Sequence, residues 1–146
     1  MSVSYIPFVF PGLSSVRCVF QTRPGGSCLG EYGGGNISFN VGDDAALVLK
    51  NRRNLQISLQ EQGLSHWAEL YQVHGDALAF EPSPVACDAA PVEEGDGMAT
   101  AQPGMGLLIK TADCQPILLA HKSGRYVAAM HAGWRGNRCD FPVTGV

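Results

Sequence analysis

Residues 111–136, TADCQPILLAHKSGRYVAAMHAGWRG, decide the reading of the fold. Pro116 to His121 and Arg125 to His131 are apolar, strand-sized runs, and Ser123-Gly124 between them is a turn signal. A two-residue hairpin turn there sets Lys122 opposite Arg125, so that paired residue numbers sum to 247. Pro116 then faces His131, and Cys114, two residues earlier, becomes the diagonal neighbour of His131 on the same face. Diagonal neighbours lie about 7–8 Å apart in the backbone. Two side chains bridge that gap around one ion, given zinc bonds of about 2.3 Å to sulfur and about 2.0 Å to nitrogen. A slip of one residue would turn Cys114 to the opposite face, so the register itself tests the reading.

Working outward, Met98 to Ala101 and Leu107 to Thr111 also read as strands, with Pro103-Gly104 as the turn between them. Trp67 to His74 alternates and stops at His74-Gly75-Asp76, from which Ala77 to Phe80 is expected to pair back. Glu81 to Gly97 reads as a linker, with three prolines and an acidic cluster at Glu93, Glu94 and Asp96. One helix is well signalled: Asp43 and Asp44 cap its start and Gly63 stops it. Leu47, Leu55 and Leu59 share a face of that helix with Asn51, and an amide on a buried stripe must find partners. Asn51 therefore reads as a tether from the helix to a loop. Val16, Cys18 and Phe20 mark an early strand, and the glycines between Pro24 and Asn36 a long loop. One helix beside six or so strands implies an α+β fold, mainly antiparallel.

A chain of 146 residues that is 45% hydrophobic fits a single domain, 1–146, with a real core. A net charge of −3 without a basic stripe argues against a nucleic-acid surface. No apolar run approaches the ~18 residues of a membrane span. The apolar start, Met1 to Pro11, has no basic residue before Arg17 and contains two prolines, so it does not read as a secretory signal. Five cysteines, at 18, 28, 87, 114 and 139, form no C-x-x-C pair and no disulfide framework. A reducing, cytoplasmic setting is the expectation.

Four histidines are present. His66 and His121 are expected to face solvent, whereas His74 and His131 each close an apolar strand and precede a glycine or small residue. With Cys114 they form a His/His/Cys set lacking a fourth protein ligand, the pattern of a catalytic zinc with one open position. The alternative is a buried thiol with two satisfied core histidines, and spacing alone leaves both open.

Gln72-Val73-His74-Gly75, Thr111 to Leu119 and His131-Ala132-Gly133-Trp134-Arg135-Gly136 resemble the signature of the YfiH/laccase-domain family. So do Thr22 to Ser27, Ser38 to Asp44, Asn51-Arg52 and Asp96-Gly97-Met98-Ala99-Thr100, which is similar to that family's Asp-Ala-x-x-Thr element. Members of the family were first called polyphenol oxidases and are now regarded as purine nucleoside phosphorylases. The resemblance implies a mainly antiparallel β-sandwich with flanking helices, with His74, Cys114 and His131 as zinc ligands in a cleft for a purine nucleoside and phosphate. It implies phosphorolysis of adenosine, inosine, guanosine and methylthioadenosine, and deamination of adenosine. Arg23, Arg52 and Arg135 are then candidate phosphate forks. Each of the three has a second reading, salt bridging to Asp43, Asp44 or Asp113, and for Arg52 that reading is preferred. Asp113, grouped with Arg135 as catalytic, either orients a metal-bound histidine or caps a turn. Asn40 either contacts substrate or shapes its loop. Rival functions are a phenol oxidase with copper as the occupant, a metal-free hydrolase using Cys114 with His131 as base, and a domain that only binds metal. The chain ends ten residues after Gly136, where family members continue with a helix and strands, so the N-terminal portion of the family fold is expected.

Overall fold

A computed structural model describes residues 2–146. The chain divides into two compact units, Met1–Leu64 with Ala86–Ala90, and Ser65–Val85 with Pro91–Val146.

In the first unit β1 (Val3–Val9) pairs antiparallel with β2 (Arg17–Gly25), from Val9 opposite Arg17 to Tyr5 opposite Gln21. The alternation at Val16, Cys18 and Phe20 is therefore a strand signal, while β1 lies in the segment weighed only as a leader. A glycine-rich loop follows, holding a single 3-10 turn over Gly30–Tyr32. Gly34 has φ +114°, and a Cβ there would lie 2.0 Å from the Arg23 carbonyl oxygen, so no other residue fits.

Helix α1 runs over Ala45–Gln60. The Asp44 carboxylate caps it by accepting from Ala46 N–H at 2.8 Å and Leu47 N–H at 3.2 Å. Gly63 and Leu64 close its far end on the carbonyls of Gln60 and Leu59. Its buried side, Val48, Asn51, Arg52 and Leu55, follows helical spacing. Asn51 is the expected tether. Its Oδ1 accepts from Ser27 N–H at 2.7 Å, and its Nδ2 donates to the carbonyls of Gly34 at 3.0 Å and Asn36 at 2.9 Å. The helix thus fixes both ends of the glycine loop through one side chain.

In the second unit β3 (His66–Glu69) pairs parallel with β6 (Met105–Leu108). A four-stranded sheet runs in the order β4 (Leu78–Phe80), β5 (Gly97–Thr100), β8 (Val127–Ala132), β7 (Gln115–Ala120). The expected return of Ala77 to Phe80 onto the strand before His74 does not occur. β4 pairs parallel with β5 instead, and residues 70–77 form a loop between β3 and β4. Three of the five pairings are antiparallel, so the sheets are more mixed than the sequence suggests. Ala68, Leu70, Met98 and Met105 form the core, with Ala79, Leu107 and Ile109 packed against it. Two short helices end the chain, α2 (Trp134–Arg138) and α3 (Phe141–Thr144). Phe141 is fully buried over Gly97, where an added Cβ would meet its Cζ at 2.9 Å.

The register of β7 and β8 is the one read from the sequence: Pro116 faces His131, and Ala120 faces Val127. The pairing reaches His121, whose N–H donates to Tyr126 O at 2.9 Å, so the connecting loop has four residues, Lys122 to Arg125, rather than two.

Asn51→Ala would leave one buried N–H and two carbonyls without this partner. Loss of about 3 kcal/mol of unfolding free energy is expected, read by urea denaturation.

Candidate metal centre

Strand β8 carries His131 at its inner end, 3% exposed, and its two neighbours supply what surrounds that ring. On the β5 side Gly97 faces Met130, which sets Asp96 across from His131, and His131 N–H donates to Asp96 O at 2.7 Å. The side chains meet as well, with Nδ1 lying 2.7 Å from Asp96 Oδ1. A carboxylate there accepts a hydrogen bond from Nδ1–H and so leaves Nε2 with the free lone pair, the arrangement that orients a metal-binding imidazole.

The same carboxylate holds His74. Asp96 Oδ1 accepts from His74 N–H at 3.0 Å, and Oδ2 from Val73 N–H at 3.1 Å and Gly75 N–H at 2.7 Å. Three consecutive amides thus converge on one fully buried carboxylate. The turn that allows this puts His74 in the left-handed region, at φ 61°. Burial by itself raises the Asp96 pKa, but the hydrogen bonds from His131, Gly75, Val73 and His74 together outweigh it and hold the carboxyl below its usual range.

Cys114 arrives from the β7 side, directly before Gln115. It is half-buried, while His74 is exposed. One donor atom each from His74, Cys114 and His131 lies within 4.8 Å of the others. The two imidazoles meet edge to face, centroids 4.7 Å apart at 81°. Gly133 completes the wall. Its φ of −79° suits any residue, yet a Cβ would sit 2.8 Å from His74 Cδ2 and 3.5 Å from Cys114 Sγ. Two ligands of one tetrahedral ion with zinc-length bonds stand roughly 3.5 Å apart, so small side-chain rotations bring all three donors onto one ion. Two imidazoles and a thiol suit a borderline-soft divalent metal. Burial, then the Asp113 carboxylate, push the Cys114 thiol above its usual pKa, the opposite of what a free nucleophilic cysteine needs.

Among the other residues singled out, Asp113 is exposed, and its carboxylate lies 3.9 Å from Cys114 Sγ. The carboxylate that orients a histidine is Asp96, because only it lies across the ladder from His131. Asp96 reads in sequence as part of the acidic cluster of a linker. The available signal is its place just before the apolar run Gly97 to Thr100, where an acid must enter the core. Arg135 is exposed in α2, with its guanidinium 5.3 Å from the Trp134 ring centroid. The first unit holds Arg23, Asn40 and Arg52. Arg23 donates to the Gly33 and Glu31 carbonyls of its loop. Arg52 is fully buried, donates to Cys87 O at 2.7 Å and Ile37 O at 3.0 Å, and stacks on Phe39. Asn40 is exposed, and its N–H donates to Ser38 Oγ at 3.3 Å.

The profile of the family described as multi-copper polyphenol oxidoreductase laccase matches residues 17–142. The chain belongs to that family. It is 38% identical over 133 residues to a purine nucleoside phosphorylase of Deinococcus radiodurans, covering 86% of this chain and 49% of the relative. To purine nucleoside phosphorylase YfiH of Escherichia coli it is 35% identical over 128 residues, covering 87% and 50%. A crystal structure of a Neisseria meningitidis protein superposes with a TM-score of 0.78 at 28% identity, covering 96% of this chain and 55% of the other. The chain spans about half the length of the curated relatives it matches. The α+β architecture and the YfiH resemblance both stand.

Gly133→Ala keeps an allowed backbone but presses on His74. Zinc affinity, measured by competition with a chromogenic chelator, is expected to fall at least about tenfold. Asp96→Asn is expected to cost about 10- to 100-fold in the same assay, because the amide cannot accept from every donor that now converges on the carboxylate.

Proposed function

We propose that this chain carries the metal-binding site of a zinc-dependent purine nucleoside phosphorylase. The observation that supports this most is the three-donor cluster of His74, Cys114 and His131, in a chain whose relatives bear that enzyme name. Held there, zinc would supply a Lewis-acidic open position for an oxygen of phosphate or water. The chain's own residues do the rest. Asp96 keeps the His131 proton on Nδ1 and sets the loop that presents His74. Gly133 keeps the space beside the thiol free of any side chain. Arg135, exposed in the helix directly after the HAG segment, is the guanidinium of this unit assigned to phosphate. In phosphorolysis a phosphate oxygen bonds to ribose C1′ as the C1′–N9 bond breaks, and the purine leaves with its electron pair and takes up a proton. Deamination of adenosine, in which water adds at C6 and the exocyclic C6–N bond breaks to release ammonia, and phosphorolysis of methylthioadenosine belong to the same proposal. Arg23 and Asn40 are exposed candidates for substrate contact. The buried Arg52 is assigned to bracing its loop.

The family description favours a second reading, copper-dependent oxidation of phenols. Multicopper chemistry needs several copper centres, and this chain has four histidines and, among its described residues, one three-donor group. Copper remains an opportunistic occupant of an N/S site.

Incubated with inosine and phosphate, zinc-loaded protein is expected to release hypoxanthine and ribose 1-phosphate, and Cys114→Ala is expected to lose at least about a hundredfold in rate. Equimolar zinc in protein grown without added copper is expected by metal analysis. Zinc binding without any nucleoside turnover would leave a metal-binding domain and remove the enzyme.

A further inference from the structure

The segment that presents His74 is stitched to two neighbours. On one side Tyr71 N–H donates to Glu93 O at 2.8 Å and Gly95 N–H to Tyr71 O at 3.2 Å, a parallel bridge between Tyr71 and Glu94 that leads into Asp96. That bridge commits the backbone of residue 71 away from β6, whose ladder with β3 ends at Glu69 opposite Leu108. A side chain closes the other side. Gln72 Nε2 donates to Lys110 O at 2.7 Å, and Lys110 N–H donates to Gln72 Oε1 at 2.8 Å. One carboxamide thus satisfies both main-chain groups of one residue, as a neighbouring strand would. Lys110 is anchored again by its ammonium, 3.0 Å from Glu69 Oε2 and 3.5 Å from Leu70 O, with the Glu69 carboxylate fully buried.

Two residues after Gln72 comes His74, and four after Lys110 comes Cys114. Asp96 fixes His74 relative to His131 but makes no bond to residues 109–114. The carboxamide, two residues from His74, ties the loop of that histidine to the segment leading to the thiol, and the Lys110 ammonium at Leu70 O ties the same segment to the start of the loop. We propose that Gln72 is a positioning residue that sets the His74-to-Cys114 spacing through its paired bonds to Lys110, and so places sulfur as the third metal ligand. This rests on the metal reading above. Glutamate lacks the donor, asparagine is one methylene short, and methionine matches the length with neither bond.

Cobalt(II) titration of the full chain tests it, because sulfur ligation gives a thiolate-to-cobalt charge-transfer band that imidazoles do not. The wild-type protein is expected to show the band and Cys114→Ala to lack it; a wild type without the band overturns the metal reading and this inference with it. Given the band, Gln72→Met is expected to weaken it relative to the visible cobalt absorption and to lower cobalt affinity about 10- to 100-fold. A Gln72→Met protein with wild-type band and affinity overturns the inference alone, even if its metal-free melting temperature falls. Should that variant not fold, Gln72→Glu, which keeps the bond from Lys110 N–H, is read in the same way: a partial loss of band and affinity supports the role and wild-type values overturn it.

Discussion

A single buried carboxylate organises the second unit of this chain. Asp96 lies without exposure and accepts four hydrogen bonds, three from consecutive amides and one from an imidazole. An ionised group taken out of water costs several kcal/mol unless its oxygens are satisfied, so each donor is needed by the others. The loop of His74 can adopt its turn because a charge waits beneath it. That charge is tolerated because the loop and His131 converge on it. The two imidazoles of the proposed metal site are therefore held in place by the fold itself.

The neighbours of β8 divide the work of assembling the site. β5 brings the carboxylate to one side of His131, and β7 brings Cys114 to the other. The donors at His74, Cys114 and His131 are distant in sequence and meet only when the sheet has formed. The proposed metal reading consequently links metal affinity to the stability of this unit, since an ion that binds only the folded arrangement stabilises it by mass action.

How much of this was legible depends on the kind of signal each part leaves. The pairing of β7 with β8 was readable because two apolar runs flank a Ser-Gly turn and one face must be buried, which fixes register even though the loop is longer than a tight turn. Helix α1 was readable from Asp44 and Gly63, and its tether from an amide on an apolar stripe. The parallel pairings of β3 with β6 and β4 with β5 were not, because strands of three or four residues carry too short a pattern to state their partners. Asp96 was hidden for a related reason. Beside Glu93 and Glu94 it reads as part of a linker's acidic cluster, its place before the run Gly97 to Thr100 is a weak signal, and the ladder between β5 and β8 sets it across from His131. The family resemblance implied the ligand set that spacing left undecided, and it included Gln72 only as a motif residue, without the main-chain partners at Lys110 that the structure gives it.

His74 sits where folding by itself would choose a residue without a side chain. A left-handed backbone costs a non-glycine residue about 1–2 kcal/mol, and histidine tolerates it better than most. Glycine at that position would relax the turn while deleting the ring that meets His131 edge to face. Conformational ease and chemical purpose are opposed at this one residue, so the strained imidazole marks a position kept for something other than folding.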